Sequence, residues 1–252
     1  EGGEGAEVLP SVLVALGPHA IPLLLGRLAS KTGRGVQELL LDVLARYLVV
    51  AQPALTQALQ DVDRDRAVQL AAILGEIGGE ASVGLLTCLL RHREGRVRRE
   101  VVRALGRIGG PSTHRPLIHA LRDPDATVRE ALVGALGAAK VKLATPALLR
   151  FAEQRVLAGK DFVVRKAAVA ALGTLGDPSA VPVLNTLLYT RTWFQRAAGD
   201  ELRLAAAMAL LVMARAEARE VVEVGAGSRR ADVRRACTLA LRRVTPPPVT
   251  KE

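Results

Sequence analysis

The segment VRREVVRALGRIGG at 97–110 returns as VREALVGALGAAK at 128–140 and as VRKAAVAALGTLGD at 164–177. Weaker copies are LRLAAAMALLVMA at 202–214 and VRRACTLALRRV at 233–244. Upstream, VQELLLDVLARY at 36–47 and VQLAAILGEIGG at 68–79 fit loosely, and ALGPHA at 15–20 holds only the tail of the unit. Aligned on one glycine slot, the copies bring Gly17, Ala45, Gly75, Gly106, Gly137, Gly173, Leu211 and Arg242 into register, at steps of 28 to 38 residues. A unit that short cannot enclose its own apolar face and must stack on its neighbours.

A second apolar motif follows most slots, as in AIPLLLGRL at 20–28, SVGLLTCLL at 82–90, RPLIHAL at 115–121 and AVPVLNTLL at 180–188. Each unit is therefore two short helices joined by a Gly/Pro turn. Period supports the helices: Val97, Val101, Ala104, Leu105 and Ile108 fall on one stripe at 3.6-residue spacing. An acid three residues before the unit start recurs as Asp63, Glu94, Asp125 and Asp161, where a carboxylate caps free N–H groups. Gly106, Gly137 and Gly173 serve either close helix approach or a C-terminal turn. Pro116, Pro146 and Pro182 suit the first turn of the second helix.

Composition agrees with stacking of small aliphatic helices. Half of the 252 residues are hydrophobic, yet only 2% are aromatic, and ring-stacking nucleic-acid modules are thereby disfavoured. The apolar content excludes intrinsic disorder. Two cysteines, Cys88 and Cys237, exclude a disulfide scaffold and are expected as buried free thiols in a reducing, cytoplasmic setting. The chain opens EGGEGAEVLP without Met, as an excised piece of a longer protein would. The longest uncharged run, 8–26, is broken by Pro10, Pro18 and Pro22, so no membrane span is expected.

The units resemble HEAT repeats, in the short variety also described for PBS lyases. The residues that carry the match are Val97-Arg98, Val128-Arg129, Val164-Arg165 and Val233-Arg234, each followed by an apolar run. The match is strong at 90–190 and loose elsewhere. The resemblance implies an all-α, right-handed α-solenoid of about seven two-helix repeats over 1–244, followed by a Pro-rich tail at 245–252. It also implies an Asp–Arg ladder between units, with Asp123 and Arg129 as the matching pair. Arg98, Arg165, Arg203 and Arg234 keep the basic rung but lack the Asp at that spacing.

Three features are candidate sites. Arg96, Arg99, Arg103 and Arg107 line one helical face, with Arg91 and Arg93 in the preceding turn. Such a stripe suits phosphates, but the slots of Arg99, Arg103 and Arg107 become Glu130, Gly134 and Ala138 in the next unit. No continuous phosphate track results, and a solvated polar face is the favoured reading. Charge is nonetheless uneven: residues 1–90 hold 6 basic and 10 acidic groups, net −4, and residues 91–252 hold 29 and 15, net +14.

The long steps place extra residues near 153–162 and 189–200. Five of the six aromatic residues, Phe151, Phe162, Tyr189, Trp193 and Phe194, fall there, with Arg191 and Arg196. Aromatics with Arg are the residue types of binding hot spots, although a local mini-core that fills a widened gap explains them equally. Helix 201–214 is apolar nearly all round and includes Leu204, Met208 and Val212, so either the insertion or a partner chain must cover it.

Catalysis is not expected. No His-Glu pair occurs, so the metal motifs of the HEAT-like deoxyhypusine hydroxylases are absent, as are H-E-x-x-H, C-x-x-C and the P-loop. No bilin-lyase signature is present, and Asp200 and Glu201 beside Trp193 and Phe194 echo the HEAT-like DNA glycosylases only faintly. The expected function is a non-enzymatic scaffold without a cofactor. Its partner would be a protein, with an acidic surface fitting the basic half, held by Tyr189, Arg191, Trp193, Phe194, Arg196, Leu204, Met208 and Val212. A nucleic acid held by the Arg face at 91–107 and by C-terminal arginines is the alternative.

Overall fold

The computed structural model describes residues 20–29, 33–50, 52–191 and 195–244. Among the described residues there are fourteen α-helices and no strand. They fall into two compact units, Glu1–Ala120 and Leu121–Glu252. The first holds α1 (Ile21–Leu28), α2 (Arg34–Val50), α3 (Gln52–Asp61), α4 (Arg64–Ile77), α5 (Gly79–Leu89), α6 (Gly95–Ile108) and α7 (Pro111–Ala120). The second holds α8 (Ala126–Ala138), α9 (Thr145–Glu153), α10 (Gly159–Leu175), α11 (Val181–Tyr189), α12 (Arg196–Val212), α13 (Ala216–Ala226) and α14 (Ala231–Val244). The fold is an all-α solenoid of two-helix repeats.

In the second unit α8, α10, α12 and α14 lie side by side in one layer, and α9, α11 and α13 pack behind them. In the first unit α4 and α6 are flush neighbours, while α1, α3, α5 and α7 contact one another in sequence. The core between layers is aliphatic: Leu132, Leu136, Leu148, Val169, Leu172, Leu184, Leu188 and Leu210 are fully buried in the second unit.

The glycine slot serves close helix approach. A Cβ on Gly137 would lie 2.9 Å from Ala171 Cβ, and one on Gly173 would lie 2.7 Å from Ala209 Cα. In the first unit, Gly75 faces Ala104 at 2.8 Å in the same way. Each glycine therefore seats the alanine two residues before the next unit's slot, and Ala-Leu-Gly is a stacking code between units. Gly225 is a further tight point, since a Cβ there would meet Cys237 Sγ at 2.5 Å. Both cysteines are buried and free, and burial pushes the Cys237 thiol up to about 11.

The helix starts follow the acids in part. Asp63 accepts the N–H groups of Asp65 and Arg66 at 3.2 and 3.4 Å, and Asp125 accepts that of Thr127 at 2.8 Å. Glu94 occupies the cap without a side-chain hydrogen bond. Asp161 is not a cap, because α10 begins earlier, at Gly159. Pro146 and Pro182 sit in the first turns of α9 and α11. Pro116 does not: α7 starts at Pro111, which puts Pro116 inside the helix.

Helices α10 and α12 have 17 residues each, against 13 in α8, so part of each insertion is an extra helical turn; residues 192–194 of the second insertion lie outside the described residues. No described helix is long and apolar enough to cross a membrane.

Candidate functional site

The arginine that opens each repeat helix has a common task. Carbonyls in the turn that precedes such a helix have no partner in a helical ladder, and these guanidinium groups supply one. Arg98 donates to His92 O and Arg93 O at 2.8 and 2.9 Å, and Arg129 to Pro124 O at 2.9 Å. Arg165 donates to Ala152 O and Val156 O at 2.9 and 3.0 Å, Arg203 to Thr190 O at 2.8 Å, and Arg234 to Ser228 O at 2.7 Å. Retention of the Arg where no Asp accompanies it follows, because the carbonyls are always there.

Arg129 takes the carbonyl of Asp123, whose carboxylate accepts the Asp125 N–H at 2.8 Å. The carboxylate that pairs with Arg129 is Asp161, from the next repeat. Arg203 repeats this, reaching Asp232 of the following repeat at 3.1 Å and Asp200 at 2.7 Å. Lys166 and Glu201 add another link between repeats at 2.6 Å. Asp200 and Glu201, the pair that echoed a glycosylase, are thus engaged in ion pairs with Arg203 and Lys166.

Hydrogen bonds from Arg230 and then from the Val233 N–H, with the nearby Arg203 charge after them, hold the Asp232 carboxyl down to about 2. A depressed folded value contributes stability above the ordinary carboxylate range, which is lost as pH falls through the folded value. The expected contribution is ~1–2 kcal/mol after allowance for solvent screening at this partly exposed side chain. In urea titrations, Asp232→Asn should be less stable than the parent at pH 7, and the gap should close between pH 4 and pH 2. A gap independent of pH would contradict the assignment.

Helix α12 is apolar nearly all round because it is an interior member of its layer. It is flanked by α10 and α14 and backed by α11 and α13. Leu202, Ala206, Ala207, Leu210, Leu211 and Met213 are buried among these neighbours. The protein itself therefore covers most of it. One stripe stays open: Leu204 and Met208 are half-buried, and Val212 is 48% exposed. In register beside it, α14 carries Leu239, 38% exposed, between the exposed Arg235 and Arg243.

Tyr189, Arg191 and Arg196 stand at the other end of the region, around the N-terminus of α12. Arg191 and Arg196 are exposed, and the Tyr189 carbonyl accepts from Arg230. Trp193 and Phe194 lie outside the described residues. The basic face of α6 is interrupted: Glu100 pairs with Arg103 at 3.1 Å and with Arg107 at 3.6 Å. Arg91, Arg93 and Arg96 are exposed, and Arg99 is half-buried. His92 is a satisfied core histidine, its Nδ1 accepting from the Glu94 N–H at 3.1 Å and its Nε2 lying 3.3 Å from Val62 O.

Composition and motif did not point to one further feature, a pocket of about 730 Å³ between the end of α9, the exposed side of α11 and the start of α12. Leu157, Leu187 and Leu202 make its apolar wall, and Arg155, Arg165 and Arg191 its basic side. The pocket lies where the repeat period breaks, lined by Arg155 and Leu157 of the 154–158 turn and by Gly199 and Leu202 of the long α12. The signal in the sequence was the lengthened step itself. Among the described residues no three His, Cys, Asp or Glu side chains gather to hold a metal.

The family model of HEAT repeats matches residues 52–137 and 114–199, more than half of the chain. No curated protein matches the sequence. Among solved structures, human deoxyhypusine hydroxylase in complex with glycerol is 18% identical, with 90% of this chain and 96% of that chain covered and a TM-score of 0.32. An engineered protein is 19% identical, with coverages of 81% and 96% and a TM-score of 0.41. A second engineered protein is 18% identical, with coverages of 93% and 70% and a TM-score of 0.40. With the Ala-Leu-Gly stacking, the arginine rungs and a family match across most of the well-formed repeats, this chain belongs to the HEAT-repeat family.

Proposed function

We propose that this protein is a non-enzymatic interaction scaffold whose open α12 stripe, with α14 beside it, receives a helix of a protein partner. The observation that carries this is the stripe Leu204, Met208 and Val212, apolar side chains left open at successive turns of a helix whose other large apolar side chains are buried. Exposed apolar surface loses ~25 cal/mol per Å² of possible burial, and i, i+4, i+8 spacing is the pattern that an amphipathic partner helix meets. Arg235 and Arg243 flank Leu239 on α14, so acidic residues beside the partner's apolar stripe complement them.

The test is a labelled peptide helix with leucines on one face and glutamates beside them, followed by fluorescence anisotropy. Met208→Glu should weaken binding at least about tenfold while the helical CD signal stays, and a lysine-flanked peptide should bind more weakly than the glutamate-flanked one. Equal binding of both peptides, or full binding by Met208→Glu, would sink this reading. Tight binding of a short DNA duplex at low salt, lost steeply as salt is added, would favour the nucleic-acid alternative.

A further inference from the structure

The rungs of the ladder are not equivalent. Arg129 and Arg203 each hold preceding carbonyls and also meet a carboxylate from the following repeat, Asp161 and Asp232. Arg165 holds its carbonyls, but among the described residues no carboxylate lies within ion-pair reach of it and its Nη2 donates to nothing. The reason is visible in the register. Asp161 stands three residues before Val164, and the residue three before Leu202 in the next repeat is Gly199; Asp232 stands one residue before Val233, and the matching acid before Leu202, Glu201, is taken by Lys166.

Arg165 is only 5% exposed, and burial lowers its affinity for the proton. A buried cation without a counter-charge is costly, and the cost is recovered when a carboxylate arrives. Gly199 and Arg165 line the same pocket of about 730 Å³. That volume lies within the range of sites that take small ligands or short segments. The wall is apolar at Leu157, Leu187 and Leu202; Arg155 and Arg191 add positive charge, and Glu153 is the acidic member.

We propose that this pocket binds a carboxylate carried on an apolar body, with Arg165 as its counter-ion, in the role that Asp161 fills for Arg129 and Asp232 for Arg203. A guanidinium meets a carboxylate through parallel N–H donors, and the leucines bury the remainder of the ligand. The chemistry is shared by a free aliphatic acid and by an acidic side chain set between leucines in a peptide. This site is separate from the open stripe of α12, and it stands or falls independently of the scaffold reading.

The experiment compares acids with their amides by calorimetry on the whole protein. One arm uses octanoate against octanamide, and the other a blocked Leu-Glu-Leu-Leu peptide against Leu-Gln-Leu-Leu. The acid should bind saturably and at least about tenfold more tightly than its amide in one arm or both, and the arm that responds identifies the source. The decisive variant is Gly199→Asp. It returns the missing carboxylate within the first turn of α12, where the helix dipole favours it. It should raise Tm and remove the preference for acid, while Gly199→Ala keeps the preference. Equal affinity for acid and amide in both arms, or no binding in either, would overturn the proposal, as would a Gly199→Asp protein that folds and still prefers the acid. Should that variant fail to fold, the comparison of acid and amide on the parent protein decides alone.

Discussion

Gly173→Ala should destabilise the protein by ~3 kcal/mol or more and lower Tm by about 6 °C or more. The added methyl would lie 2.7 Å from Ala209 Cα, 2.9 Å from its Cβ and 2.9 Å from its carbonyl oxygen. Two of those atoms are backbone, so no rotamer change relieves the clash. The only relief is separation of α10 from α12, which opens the layer at its middle. Gly134→Ala in α8 is the control. Nothing lies within 4 Å of a Cβ there. The same chemical change at that exposed helical site should stabilise by ~0.5–1 kcal/mol through backbone entropy. Opposite signs for one substitution would identify close approach as the cause. Similar small effects at both sites would mean that the layer yields more easily than its geometry implies.

Arg203→Leu should cost ~2–4 kcal/mol, which urea unfolding at neutral pH would measure. Arg203 is 3% exposed. It donates to Thr190 O at 2.8 Å and pairs with Asp200 and Asp232 at 2.7 and 3.1 Å. Its loss leaves one helix-end carbonyl without its donor and removes a positive neighbour from two carboxylates. Both acids keep some solvent, which moderates the penalty. Arg219→Ala is the comparison, because Arg219 and Glu223 form an exposed i,i+4 pair. Such pairs contribute ~0.5 kcal/mol or less. A loss at Arg203 no larger than that at Arg219 would show that the ladder is decorative.

Much of the fold was legible because stacked repeats write their contacts locally. The recurrence of Val-Arg, an apolar run and Ala-Leu-Gly marks helices that meet their neighbours by the same residues each time. Gly137 and Gly173 were correctly narrowed to close approach or turn, and the distances to Ala171 and Ala209 select close approach. The caps at Asp63 and Asp125 were legible for the same reason, since a cap is made within a few residues.

The candidate sites were less legible. The apolar character of helix 201–214 pointed to an external cover, yet α10, α11, α13 and α14 supply most of it. Hydropathy reports what a helix wants buried and not which neighbours bury it. Leu204, Met208 and Val212 are the large apolar side chains of that helix left open for a partner. The ladder was expected between repeats with Asp123 and Arg129 as its residues, and the structure adds Asp161 of the next repeat as a carboxylate on Arg129. That pair joins residues 32 apart, which spacing along the chain does not reveal.

By itself, the sequence determined that this chain is an all-helical array and which residues stack one repeat on the next. Those are short-range properties, repeated often enough to be read as a pattern. The tertiary structure alone decided which charges meet and which do not. It pairs Arg129 and Arg203 with acids of the following repeat. It leaves Arg165 facing Gly199 across a pocket. Ion pairing and cavity shape depend on residues brought together from different repeats, and the spacing of those repeats changes at the two insertions.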